Sequence, residues 1–577
     1  MFGRLRLVIL LTALFLGFPN VGCAYRNYNK GDTIPIYTGV VFPVNSGFER
    51  YEYYSLPFCK PKVLTTEGRT IWDVFHGSVK RTSDYKIYFE VNSTNSPLCQ
   101  IVLDKSEKKL FIDAIGQDYV FTMFIDGIEV TYPVGSVSRE GDVILNTGLL
   151  FKVFFITNQI SKVIVESSSN RKLSLSNDPE EIEFFYNILW IPTSNSRSIP
   201  ISVYDFFDFN ELKIQWFSIL NSLLLVALLC GFVIFILTRT LRHDFKRYGS
   251  LEEEMDQDDS GWKRLHADVF RFPKNMMLLC AIIGCGGQLI LIAFVILTIM
   301  SMKIFYNSGE TTINFMMILF LLTTPVSGFL SASFYRKFDG KHWSRNVLLT
   351  FFVLLVPILI VSLVINVIAS IFLLPYAVSW GSFLLYWITF LVITFLLTLF
   401  GAIFGRRYGG NFDAPTRTKF VPREIPPLAW YRRNLIHILV GGLLPFTAVY
   451  IELYYVLLGL TGHQSRTPVV IVYMMFIVLI VVTASTNVAL TYDRLNAENH
   501  KWWWPSALCG GSSAAYVFVY SIVFLFLHTH MRSIPHVLIY IGYTFLICHT
   551  LFLAMTTVGF FSSLLFVRQI FRYIKSD

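Results

Sequence analysis

The residue of this chain best placed to do chemistry is an acid in an apolar run. Glu452 lies in LPFTAVYIELYYVLLGL, about two helical turns after Pro445. An acid at membrane depth is costly to keep and usually faces a cavity, a partner or a pathway. Pro445 frees a backbone carbonyl one turn earlier, and Gly441 and Gly442 let a neighbouring chain come close. One reading is a polar patch that recognises helices or moves a proton. The other is a structural acid near the helix end, neutral or paired with a Tyr or Asn. A second pattern is Lys575-Ser576-Asp577, a lysine followed by carboxylates. A third is the pair Cys59 and Cys99 in a polar segment that also carries the sequon Asn92-Ser93-Thr94. Two cysteines in an oxidising compartment read as one disulfide, and the alternative is two free buried thiols. Asn92 reads as a glycosylation acceptor. His528-Thr529-His530 with His536 hints at a metal, but such spacing on a short loop is weak, so neither metal nor cofactor is expected. There is no HExxH, no GxSxG and no pair of intramembrane aspartates, so no catalytic residue is assigned and an enzyme is not expected.

The elements that would position these residues follow from composition. The 577 residues are 54% hydrophobic and only 15% charged, with a mean hydropathy of +0.54. A soluble protein of this size needs far more polar surface. The net charge of +9 does not point to nucleic acid, because the basic residues gather in short loops between apolar runs. Residues 1–24, MFGRLRLVILLTALFLGFPNVGCA, read as a secretory signal peptide: two arginines, an apolar core and small residues at a cleavage site. Residues 25–213 read as a β-rich, antiparallel, sandwich-like domain. The runs YKIYFEV, FTMFIDGIEVTYPV, FKVFFITNQISKVIVES and EIEFFYNILWIPT are aromatic and β-branched, with turn signals such as Asp126-Gly127 between them.

Residues 214–577 read as a polytopic α-helical membrane domain of nine transmembrane helices in the lipid bilayer. The expected spans are 217–238, 276–302, 313–334, 347–374, 379–405, 435–460, 467–491, 511–528 and 537–566. The loops on one side hold 24 Lys and Arg, and those on the other hold 3. Positive charge stays in the cytosol, so the β-rich domain is lumenal and the tail cytosolic. In the first basic loop, WKRLHADVFRFP is expected to dock at the membrane interface, and Trp502-Trp503-Trp504 to join an interfacial belt.

Several stretches, in order along nearly the whole chain, resemble one family. They are YEYYSLPFC, IQWFSILNS, LTRTLRHDFKRY, GWKRLHADVFRFP, TTPVSGF, GGLLPFTAVYIELYYV, LNAENHKWWWPS and the final KSD. Together they are similar to the transmembrane 9 superfamily, the nonaspanins, and the short N-terminal domain looks closest to the member 3 branch. The resemblance implies a Golgi or endosomal membrane protein that sorts other membrane proteins, including clients with glycine-rich transmembrane helices. It also implies links to adhesion and phagocytosis. Family tails carry a Lys-x-Asp/Glu signal that binds the coatomer coat and retains the protein in the Golgi. Lys575 and Asp577 match it. The chain departs from the family pattern at Asp493, where an apolar residue is usual, and at Asn499, where an acid is usual.

Two functions remain in view. One is escort of client membrane proteins through their transmembrane segments. The alternative is a transporter or ion-linked carrier using Glu452, although no internal repeat or matched pair of interrupted helices is visible.

Overall fold

The N-terminal domain is built by period-two alternation, plainest in EIEFFYNILW, where Ile182, Phe184, Tyr186, Ile188 and Trp190 all turn inward. The computed structural model describes residues 26–173, 179–193, most of 220–242, 261–301, 309–416, 418, 422–427, 429–460, 469–529, 531 and 533–572. The expected leader 1–24, the stretch 194–213 and the Lys575–Asp577 tail lie outside the described residues.

The strands are β1 (Thr33–Ile34), β2 (Ile36–Pro43), β3 (Tyr51–Glu52), β4 (Arg81–Thr82), β5 (Ile87–Tyr88), β6 (Ser93–Leu103), β7 (Tyr119–Ile125), β8 (Ile128–Pro133), β9 (Gly135–Val137), β10 (Val143–Ile156), β11 (Gln159–Leu173) and β12 (Glu180–Pro192). One sheet runs β3-β2-β7-β8 with β4 on β2, and a second runs β11-β10-β12-β6 with β9 on β10. Their apolar faces share a core in which Phe58 meets Tyr53, Phe111, Phe121 and Phe184. Asp126 and Gly127 join β7 to β8 with φ of +51° and +79°, the two left-handed positions of a tight hairpin. The expected all-antiparallel order fails at one place: β10 and β12 are parallel. After the β10–β11 hairpin the chain returns to the other edge of β10, so β12 must run in the direction of β10. YKIYFEV contributes only Ile87–Tyr88 as strand. The unpromising STNSPLCQIVL forms β6, whose Pro97 is tolerated because β6 is an edge strand. Cys59 and Cys99 are joined, with Cα atoms 6.0 Å apart, which staples the loop after β3 to β6.

Two short helices decorate the sheets, α1 (Ile71–His76) and α2 (Lys105–Ile115). Thr70 and Asp73 form a reciprocal cap at the start of α1, and Gly77 ends it in the left-handed region.

The membrane domain contains α3 (Met276–Ser301), α4 (Gly309–Lys337), α5 (Trp343–Ile371), α6 (Trp380–Tyr408), α7 (Asn434–Leu460), α8 (Val469–Asn496), α9 (Trp503–Gly511), α10 (Ser513–His528) and α11 (Ile534–Arg572). Counting α9 and α10 as one crossing, eight helices among the described residues are long and apolar enough to span a bilayer. The first expected span is helical wherever it is described, unbroken over 230–242. The break expected at PYAVSW is real: α5 stops at Ile371 and α6 starts at Trp380. The crossing expected over 511–528 starts earlier, at Trp503.

Two expectations about interfacial segments are corrected. Trp502 and Trp503 are buried and stacked with ring centroids 4.3 Å apart, so two of the three tryptophans belong to the interior. WKRLHADVFRFP packs against the ends of the helices. Trp262, Leu265, Val269 and Phe270 are buried with Phe338, Trp502, Trp503 and Phe571, closing the helix ends under an aromatic cap. The Trp502 and Trp504 indoles donate to the Val269 and Lys274 carbonyls at 2.8 and 2.7 Å. Burying these rings against one another removes more apolar surface from water than an interfacial position would.

At the other end the β-domain rests on the helices. Arg69 donates to the Ala377 carbonyl at 2.7 Å and to that of Pro375, and the Tyr376 hydroxyl donates to the Phe48 carbonyl at 3.0 Å. His536 is fully buried, its Nε2 3.1 Å from the Arg50 carbonyl. Gly77 leaves room for Tyr376: a Cβ there would fall 2.5 Å from its ring. Just before it, His76 is held neutral by burial and then by the Arg50 charge, which push its pKa down to about 3. This fixes a sign. The unfolded chain takes up a proton near pH 6.5 and the folded one does not, so stability is complete above 6.5 and falls as pH drops toward 3. The slope is at most about 1.4 kcal/mol per pH unit. Thermal unfolding should therefore show about 1–2 kcal/mol lost between pH 6.5 and 5. His76→Gln should flatten that profile, and an equally steep variant would remove His76 as the cause.

Candidate functional site

The helical repeat of α7 puts Gly441, Gly442, Pro445, Ala448, Val449 and Glu452 on its buried face, while Leu443, Tyr450 and Ile451 are exposed. The glycines are there for a neighbour. A Cβ on Gly441 would lie 2.8 Å from the Cys509 side chain, and one on Gly442 would lie 2.5 Å from the Ser512 hydroxyl. At this spacing α9 and α10 bond directly to the backbone of α7. Cys509 Sγ donates to the His437 carbonyl at 3.3 Å, Ser512 Oγ to that of Ile438 at 2.7 Å, and Tyr516 to that of Leu439 at 3.0 Å. Small residues at a helix crossing with polar side chains bridging it are what membrane packing favours.

Glu452 is 6% exposed. It lies eight residues, or about 12 Å, before the end of α7 at Leu460, on the β-domain side. Its Oε2 has no hydrogen-bond partner among the described residues. A buried oxygen in that state can accept a proton, or a donor brought by a water or another chain. The glycines and Glu452 therefore share a face without sharing a contact, because three turns separate them. Around the same end of α7, Tyr450 packs on Tyr520 with centroids 5.0 Å apart, and Tyr454 packs on His528 at 5.5 Å.

The other end of α7 carries a polar cluster that the sequence reading did not assemble. Asp493 takes Arg432 at 3.0 Å and His437 at 3.4 Å. Arg494, nearly fully buried, donates to Asn434 at 2.5 Å and lies 3.2 Å from His437 Nδ1. This gives Asp493 a local purpose: it answers the cations around it. Asn499 accepts the Lys501 N–H at 3.0 Å, and the acid stands one place earlier, where Glu498 meets Arg264 and Arg423 at 3.4 and 3.5 Å. The signal available beforehand was a histidine near the start of one apolar run, His437, and an acid–arginine pair near the end of another, Asp493-Arg494.

Among the other polar residues, Gln288 donates to Thr324 at 3.3 Å, Asn366 accepts the Val378 N–H at 2.8 Å, and His549 lies 3.2 Å from the Val353 carbonyl. Asn487 bonds within its own helix, to Thr483. Asn92 is exposed and its carbonyl oxygen accepts the Trp190 N–H at 2.8 Å, leaving its amide nitrogen as the atom a glycan would join. Among the described residues no group of three or more His, Cys, Asp and Glu gathers as a metal site.

A family model described as Endomembrane protein 70 matches residues 50–534. The chain is 35% identical to Transmembrane 9 superfamily member 4 of Arabidopsis thaliana, over 96% of this chain and 95% of that protein. It is 34% identical to member 3 of the same organism, over 96% and 95%, and 34% identical to member 1 of Bos taurus, over 99% and 97%. Identities this even do not single out the member 3 branch. No solved structure matches the chain.

Proposed function

This chain belongs to the endomembrane protein 70 family, the transmembrane 9 superfamily, and we propose that it sorts or escorts other membrane proteins in the Golgi and endosomal pathway. In this reading the β-rich domain is lumenal, the Lys575–Asp577 tail is cytosolic, and the protein is not an enzyme. The observation that carries it is where the tail departs. α11 ends at Arg572, at the end of the bundle opposite the β-domain, with the basic segments 336–345, 406–433 and 493–501. A tail leaving from that end would meet a cytosolic coat, and Lys575 and Asp577 would pair with complementary charges on coatomer. Client helices would dock on the small-residue and aromatic faces of the bundle.

The test is to deplete the protein and quantify surface membrane proteins, while imaging tagged wild type and Lys575→Ala. Loss of a selective set of membrane proteins, with Lys575→Ala leaving the Golgi, is the expected result. An unchanged surface proteome would overturn the reading. Topology has its own check: peptide N-glycosidase should shift the mobility of wild type and leave Asn92→Gln unchanged. A wild-type band that does not move would remove Asn92 as a glycan acceptor.

One observation favours a second reading, that of a carrier. Glu452 Oε2 is buried with no partner among the described residues. Under that reading Glu452→Gln stops flux while clients still reach the surface.

A further inference from the structure

Several cations at the end opposite the β-domain have a carboxylate to answer them: Arg432 has Asp493, Arg264 and Arg423 have Glu498, and Arg568 has Asp413. Another group converges on one surface without such a partner. A cavity of about 660 Å³ opens between the last turns of α4 and α6 and the start of α5, with Arg336, Lys341, Trp343, Arg406 and Arg407 around it. Asp339 is the single acid lining it. Among the described residues none of these cations forms an ion pair.

The cavity is held open by its own residues. Arg336 donates to the carbonyl of Arg406 and, at 3.0 Å, to that of Arg407, which ties the two helix ends together and caps α6. The Arg406 guanidinium lies over the Trp343 ring, 5.1 Å from its centroid. That contact orients Arg406 without neutralising it. Lys341, Arg406 and Arg407 are all exposed, so three free cations converge on one concave surface.

Depth and surroundings say what would fill it. α6 has 29 residues, so it is about 43 Å long, against about 30 Å for the hydrocarbon core of a bilayer. Its last turn, with Arg406 and Arg407, therefore reaches headgroup depth. Directly below, Phe400 and Ile403 on α6 are exposed apolar side chains, and Ile403 lines the cavity. An acyl chain could run along them while the headgroup sits above. Basic pockets between transmembrane helices suit phosphorylated headgroups, and a planar guanidinium binds phosphate through two parallel N–H bonds.

We propose that this pocket binds the phosphorylated headgroup of an anionic membrane lipid, with Lys341, Arg406 and Arg407 as its phosphate ligands and Trp343 as the wall that orients Arg406. The proposal needs only the membrane fold and does not depend on the sorting role.

The experiment uses the purified full chain in detergent, titrated with three probes and read by native mass spectrometry. The probes are dioctanoyl phosphatidylinositol 4-phosphate, dioctanoyl phosphatidylcholine and soluble inositol 1,4-bisphosphate. The phosphoinositide should bind at least tenfold tighter than either other probe, and more weakly as salt rises. Lys341→Gln with Arg407→Gln touches no packing contact described above. It should weaken phosphoinositide binding by about fivefold per cation removed and leave the unfolding temperature without lipid unchanged. Arg345→Gln, outside the pocket, should bind as wild type does. Equal binding of phosphatidylinositol phosphate and phosphatidylcholine would overturn the proposal, as would an unaffected double variant. Soluble inositol 1,4-bisphosphate binding as tightly as the lipid would overturn the lipid as its source.

Discussion

Gly401→Val should cost the protein its folded form. Gly401 and Gly405 on α6, and Gly409 just past its end, recur every fourth residue and face Pro325, Phe329 and Ser333, which recur every fourth residue on α4. A Cβ at Gly401 would fall 1.9 Å from the Pro325 carbonyl oxygen, and one at Gly405 would fall 2.3 Å from that of Phe329. The obstacle is backbone, so no rotamer change relieves it. Overpacking usually costs about 1–3 kcal/mol, and a clash between two helix backbones lies at or beyond the top of that range. We expect the monodisperse fraction in fluorescence-detected gel filtration to fall more than tenfold. Gly381→Val is the internal control, since nothing lies within 4 Å of a Cβ there on the same helix. Equal yields from the two variants would mean that α4 and α6 do not cross at these glycines.

The second large effect concerns the seat of the β-domain. Arg69 spans the junction, giving N–H groups to the carbonyls of Pro375 and Ala377 in the loop between α5 and α6. Burial lowers the pKa of its guanidinium, as desolvation of a cation should. Hydrogen bonds from a charged donor contribute about 1.5–3 kcal/mol each. Arg69→Ala removes two and leaves the carbonyls without their donor, so about 3 kcal/mol should be lost from docking. Amide exchange across 372–379 should quicken by about a hundredfold, while exchange in β10 and β12 stays slow, because the β-domain core is untouched. Arg69→Lys should recover part of the protection, since an ammonium is a point donor and not a fork. Unchanged exchange in the loop would show that Arg69 does not hold the domain.

The membrane plan was legible because it rests on the strongest sequence signals. Runs of about 20 apolar residues need no tertiary knowledge. The β-rich character of the first domain was legible for a similar reason, since EIEFFYNILW and FKVFFITNQISKVIV alternate cleanly. What could not be read is where one element chooses another. STNSPLCQIVL has a weak strand signal and becomes a strand only because β12 offers it an edge. WKRLHADVFRFP has the composition of a membrane-surface segment. It is buried because Trp502, Trp503 and Phe571, more than two hundred residues away, supply an aromatic partner. At the candidate site, the sequence placed Glu452, Pro445 and the glycines on one helix. It could not show that Cys509 and Ser512 are what the glycines admit, or that Asp493 balances Arg432 and His437. The spacing of Gly401, Gly405 and Gly409 was readable as a close-packing motif, but its partner was not.

The helix α11 links these regions physically. It runs 39 residues, about 58 Å, with no proline beyond its first turn, whereas α4, α5 and α7 each carry one inside. Near its start, His536 and Tyr540 touch Arg50 and Phe48 of the β-domain. Near its end, Phe571 packs on Trp262 in the aromatic cap. One unbroken helix held in both places joins them across the membrane. The seat of the β-domain and the rings under the cap are thereby attached to the same element, so an event on one face of the bilayer has a mechanical address on the other.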